Sequence, residues 1–232
     1  MILNNRSQSD LFEHRVKQFG DFIKVEPSEL EEIKDYLYLK DVAPGQIIYQ
    51  QGDQSEKLYM LMHGYIVLET NDSHGNEMDL FVHRPQILPL SALFSSTDYR
   101  QTAKGLYQTQ ILYFQKEALE FLAKKYNHIL IHLFKEMGRV MESEDNRMIL
   151  YAGKSIEEKV IALLLYLGRE VGSDQGDYYR LRNIIKVTQL SRMICVSRES
   201  TSQMINRFKR EGYIIPDKDK DHMLISKKLE WL

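Results

Sequence analysis

Cysteine is almost missing from this chain: one, Cys195, among 232 residues. A single Cys excludes an intramolecular disulfide and an all-Cys zinc or iron–sulfur site. No apolar run approaches the roughly 18 residues that cross a bilayer. The start, MILNNRSQSDLFEH, lacks the basic region and apolar core of a signal peptide. A cytoplasmic protein without membrane contact is therefore expected. There is no phosphate-binding loop, no paired metal ligands and no nucleophile motif such as G-x-S-x-G, so no enzyme and no cofactor are expected. His63, His74, His83, His128 and His132 show no ligand spacing. Internal repeats and low-complexity tracts are absent too. Net charge is only −2, which by itself says nothing about nucleic acid.

What is present is globular in composition, with 43% hydrophobic and 28% charged residues. The length fits one large domain or two ordinary ones. Charge is unevenly spread. Residues 154–232 hold 15 Lys/Arg against 11 Asp/Glu, a surplus of four positive charges, whereas residues 1–153 hold 16 against 22. A basic second half points to phosphates.

Residues 8–40 read as short helices, one starting with Ser28 as N-cap and Glu31 closing a capping box. From Asp41 onward, Gly and Pro punctuate short runs: QIIYQ, KLYMLM, YIVLE, EMDLFVH and QTQILYF. Short strands at this spacing predict a β-sandwich or barrel. SHGNE reads as a hairpin turn with Gly75 or Asn76 at positive φ. Helices are expected over 116–126 and from Asn127 to about Leu150. The second carries an apolar seam at Leu130, Leu133, Met137 and Val140, flanked by Phe134, Met141 and Met148, with Glu144 and Arg147 continuing it as charges. Such a seam packs either on its own domain or on the same helix of a second copy. Tyr151–Lys154 reads as a hinge. The next helix has Ser155 as N-cap and Glu158 in capping-box position. A strand follows at YYRLR.

Thr188 to Gly212 reads as two short helices joined by a tight turn. Leu190, Ile194, Val196, Met204, Ile205 and Phe208 supply buried faces. Arg198, Glu199, Ser202 and Gln203 are left on the outer face of the second helix, which suits the DNA major groove. YIIPDKDKDHMLIS then reads as two strands around a charged turn, with Pro216 ending the first because it cannot donate to a ladder. That is the pattern of a winged helix-turn-helix.

These pieces resemble the CRP/FNR superfamily of bacterial transcription regulators. The resemblance covers nearly the whole chain. It rests on Pro44-Gly45…Gln51-Gly52-Asp53 with Leu58-Tyr59…Gly64, and on Val196-Ser197-Arg198-Glu199-Ser200-Thr201. The stretch ILPLSALF looks most like the arginine-deiminase regulators of Gram-positive bacteria. The resemblance implies an α+β fold: a cyclic-nucleotide-binding-like β-roll over 1–126, a dimerisation helix and hinge over 127–151, and a winged helix-turn-helix over 152–232.

It also implies roles. A homodimer through residues 130–148 would read a near-palindromic TGTGA-like site on double-stranded DNA and meet RNA polymerase. Arg198 would contact guanine and Glu199 the cytosine amino group, with Ser197 capping the helix and Ser202 near phosphate. Gln203 stands where the family often has a second base-reading Arg, and Gln prefers adenine. Thr201, Arg207 and Lys209 complete the expected DNA-binding set. Cys195 occupies a turn position where the family usually has Gly for its positive φ, and a thiol there is a candidate redox switch. Nucleotide binders of the family carry Gly-Glu and then Arg-Ser in the roll. Here those places hold Pro89, Leu90, Arg100 and Gln101. Arg100 and Gln101 are the residues left for an effector, and ordinary cyclic AMP binding is not expected. The family's oxygen sensors use an N-terminal Cys cluster, which residues 1–30 lack. The alternative from another class is a protein-interaction module with a degenerate helix-turn-helix.

Overall fold

The computed structural model describes residues 5–95 and 98–232, without the side chains of 5–8 and 149–151. The expectation for the extreme N-terminus thus falls partly outside the described residues. The chain divides into two compact units, one of residues 1–68 and 81–143, the other of 69–80 and 144–232.

The first unit opens with one long helix, α1 (Asn5–Ile23), and a single turn, α2 (Pro27–Leu30). Val16, Phe19 and Ile23 line the buried stripe of α1. The expected cap at Ser28 is corrected: Pro27 is the first helical residue, and the Glu29 carboxylate accepts from the Glu26 N–H at 2.9 Å. Proline needs no amide partner at that position, so the helix starts two residues earlier, with Glu26 as its N-cap. The helical expectation for residues 8–40 also ends too late, because β1 (Tyr38–Val42) begins before Asp41.

The remaining strands are β2 (Ile47–Tyr49), β3 (Lys57–Asn71), β4 (Glu77–Val82), β5 (Ile87–Leu88) and β6 (Thr102–Gln115). They form one six-stranded sheet with backbone order β1-β6-β3-β4, β2 on β6 and β5 on β3. KLYMLM and YIVLE, read as two strands, are one. Gly64 carries the strand across at φ +85°, where a Cβ would lie 2.2 Å from the Gln108 carbonyl oxygen. No other residue fits there. Gly75 takes positive φ at the hairpin, as expected. Leu58, Met60, Leu112 and Phe114 point inward and meet Phe19, Leu119 and Leu122 in one apolar cluster. A relay through the buried Gln110 ties α1 to the sheet: Arg15 Nε donates to Gln110 Oε1 at 2.6 Å, and Gln110 Nε2 donates to Asp41 Oδ1 at 2.9 Å.

Helices α3 (Lys116–Lys125) and α4 (Asn127–Tyr151) follow. Of the two packings open to the expected seam of α4, Leu130, Leu133 and Met137 take the one on their own domain. Leu133 is 1% exposed and packs with Leu130 and Met137 against the core of its own unit. The exposed apolar positions are Ile131, Phe134, Met141 and Met148, at 50–65%. They recur at alternating 3- and 4-residue steps when Gly138 and Asp145 are counted. Glu144 and Arg147 pair with each other.

The second unit contains α5 (Ile156–Val171), β7 (Ser173–Gln175), β8 (Tyr178–Arg182), α6 (Val187–Met193), α7 (Arg198–Arg210), β9 (Ile214–Pro216) and β10 (His222–Ser226). Ser155 and Glu158 make the expected capping box: Ser155 N–H donates to Glu158 Oε2 at 2.8 Å, and Glu158 N–H to Ser155 Oγ at 3.2 Å. Val160, Ile161, Leu163, Leu164, Leu165 and Leu167 are all buried, so α5 is the spine of this core. Gly168 lets Tyr179 lie against it, since a Cβ there would be 2.6 Å from the ring. The antiparallel sheet β7-β8-β10-β9 closes the unit, with the exposed Ser173–Gln175 as its edge strand.

Candidate nucleic-acid interface

Two short helices and the turn between them present one polar face. Backbone bonds set the turn: Cys195 N–H reaches the Arg192 carbonyl at 3.3 Å and Val196 N–H the Ser191 carbonyl at 3.0 Å. Cys195 takes φ +52°, the left-handed conformation expected of this position. Its thiol is exposed, with Sγ 3.8 Å from the Arg192 carbonyl oxygen.

Ser197 is the N-cap of α7. Its backbone is extended, and its Oγ accepts from Ser200 N–H at 3.1 Å. That satisfies one of the helix's unpaired amides and fixes its entry angle. Ile205 and Phe208 turn inward beneath it, joined by Leu190, Met193 and Ile194 from α6 and the turn. Met204 and Val196, expected in that core, are only partly buried.

The outer face holds Arg198, Glu199, Gln203, Asn206, Lys209 and Arg210, all exposed. None of these side chains has a hydrogen bond or ion pair among the described residues. This freedom contrasts with the neighbouring charges. Arg207 donates from Nη1 to Glu157 Oε2 at 3.0 Å and from Nε to Glu211 Oε1 at 2.8 Å. Its guanidinium is thus already paired within the unit, unlike those of the outer face. Thr201 is paired too. It is 0% exposed, and its hydroxyl donates to the Ser197 carbonyl at 3.0 Å, so it buttresses the cap instead of facing outward. Ser202 is half-buried at the edge of the face. Asn206 was missed by the sequence reading, although seven residues after Glu199 is the same helical stripe.

The wing turn, residues 217–221, is ordered by its own charges. Arg180 pairs with Asp217 and, at 3.3 Å, with Asp219. Asp219 lies 2.8 Å from His222 Nδ1. The Arg180 side chain, above all, holds the Asp217 carboxyl below the usual carboxylate range. Lys218 and Lys220 stay exposed at the tip.

The stretch that aligns with the family's nucleotide cassette is apolar and packs into the core. Leu90 and Leu93, both under 9% exposed, lie with Ala92 in the apolar cluster of the first unit, alongside Met60 and Ile87. Arg100 is exposed and Gln101 half-buried. The structure does not assign either one to an effector.

Residues 39–126 match the cyclic nucleotide-binding domain model, and residues 158–230 the Crp-like helix-turn-helix domain. The HTH-type transcriptional regulator ArcR of Staphylococcus aureus is 26% identical over 222 residues, covering 96% of this chain and 94% of that one. Among solved structures, a transcriptional regulator of the Crp/Fnr family from Eubacterium rectale has a TM-score of 0.70 at 18% identity, over 90% of this chain and 94% of the other. The c-di-GMP responsive global regulator of Xanthomonas campestris has 0.71 at 14%, over 87% and 99%. These likenesses show the fold. No described helix is long and apolar enough to cross a membrane.

Proposed function

The chain belongs to the CRP/FNR family of DNA-binding transcription regulators, and on that footing we propose that it acts as a homodimer reading a near-palindromic, TGTGA-like site without the usual cyclic nucleotide. The observation that carries base reading is the unpaired set Arg198, Glu199 and Gln203 on a helix capped by Ser197 and packed inward by Ile205 and Phe208. Arg198 presents a bidentate fork to guanine, Glu199 an acceptor to the cytosine amino group, and Gln203 a donor–acceptor pair to adenine. Lys209 and the N-terminal amides of α7, with Ser202 at the edge, meet phosphates.

The exposed stripe Ile131, Phe134, Met141 and Met148 supports the dimer. A second copy's α4 would cover it, and Gly138 allows close approach where nothing else stands within 4 Å. Two copies put two reading helices about 34 Å apart, one turn of DNA. The division of labour is a sensor-like roll over 1–126, a dimerisation helix and hinge over 127–151, and a DNA-binding part over 152–232. Contact with RNA polymerase follows from the regulatory role.

The roll's departure from nucleotide binding rests on Leu90. A buried leucine cannot pair a ribose hydroxyl, and each unmade bond costs roughly 1–3 kcal/mol.

Selection from random DNA with wild type and Arg198→Ala tests the reading. Wild type enriches paired half-sites, and Arg198→Ala loses about 1–3 kcal/mol of discrimination at the guanine it reads. A wild type that enriches no motif would support the interaction-module alternative, and an Arg198→Ala protein with unchanged specificity would remove the assignment of α7.

A further inference from the structure

We infer that Asn206 is a fourth base-reading residue, which with Gln203 reads adenine on neighbouring base pairs of each half-site. The inference rests on the proposal that α7 enters the major groove. Asn206 is exposed on the stripe that holds Glu199 and Gln203, three residues beyond the latter. Three residues of helix advance about 4.5 Å, close to the roughly 3.4 Å step between stacked bases. Side chains at that spacing are neighbours on a helix surface. Glutamine and asparagine offer the same planar pair, a carbonyl acceptor and an NH2 donor, which match adenine N6 and N7.

Nothing inside the fold accounts for this asparagine. Asn is a poor residue for a helix interior, because its amide competes with the backbone for hydrogen bonds. Here its side chain makes no bond to a backbone carbonyl or to any neighbour among the described residues. The phosphate role is already supplied next to it. Lys209 and Arg210 are exposed cations one turn on, and both lack ion-pair partners among the described residues. A neutral amide adds little to charge neutralisation beside them, and its directional donor–acceptor pair is suited to a base edge.

The test is selection from random DNA at one fixed salt concentration, with wild type, Asn206→Ala, Asn206→Lys and Gln203→Ala. Asn206 is an exposed mid-helix position and alanine is the better helix former, so the variant folds. Asn206→Ala is expected to lower the preference for adenine about tenfold at one position of each half-site, next to the position that Gln203→Ala relaxes. Asn206→Lys is expected to keep or raise total affinity while losing the same preference. An unchanged preference profile in Asn206→Ala overturns the inference. So does a loss of affinity by one factor across all sequences, which marks a phosphate contact. A wild type that enriches no motif defeats the groove reading itself, whereas a wild-type motif that depends on Arg198 but not on Asn206 defeats only this inference.

Discussion

At Cys195 the backbone takes a conformation that side chains with a Cβ rarely adopt, and the thiol still faces outward. The turn's backbone bonds hold it there. Nearby, two residues of the expected DNA-binding set bond within the unit. Thr201 buttresses the cap, and Arg207 bridges Glu157 and Glu211. Both lie in α7, so sequence position alone could not separate them from Arg198. Single charges also set the wing. Asp217 titrates below an ordinary carboxyl because Arg180 donates to it. Its stabilisation is therefore complete above the ordinary carboxylate value and is lost as pH falls through the lowered one. Removing Arg180 with Arg180→Ala should lower the melting temperature modestly at pH 7, and the gap to wild type should close in acid. Melting curves across pH 2–7 check this.

The helix α4 shows how an element can carry two apolar faces. Leu130, Leu133 and Met137 belong to the core of their own unit, while Ile131, Phe134, Met141 and Met148 stay exposed. Fully burying a large apolar side chain is worth about 1.5–3 kcal/mol, so covering these four half-exposed residues favours the proposed dimer. Phe134→Glu with Met141→Glu should leave the monomer folded, because both positions are exposed, yet shift it from dimer to monomer. Sedimentation velocity reads the shift, and binding to a paired site should weaken with it. A dimer that persists in the double variant would place the contact elsewhere. Other elements were fully legible. Ser155 and Glu158 announced α5, and YYRLR gave the bounds of β8, because caps and short strands are local events.

For the molecule as a whole, the proposed loss of cyclic-nucleotide binding rests on the first unit. Leu90 and Leu93 join the apolar cluster with Met60 and Ile87. Isothermal titration of the full chain with cyclic AMP should show no stoichiometric tight binding. A tight one-to-one isotherm would mean that the roll accepts the nucleotide by other residues.

The order of parts could be read from the chain: short strands, a long helix, a capped helix, a helix pair and a charged wing. So could the motif Ser197-Arg198-Glu199. Each is written in periodicity, caps or turn residues, which act over a few neighbours. Tertiary structure alone decided the rest. It merged two runs into β3 through Gly64, put the first strand before Asp41, and decided that the seam of α4 packs on its own unit while its flanking apolar residues stay exposed. It also sorted the polar side chains of α7 into paired and free, leaving Asn206 among the free. Whether a side chain is buried or paired depends on residues far off in sequence, such as Glu157 for Arg207. The local pattern cannot contain that information.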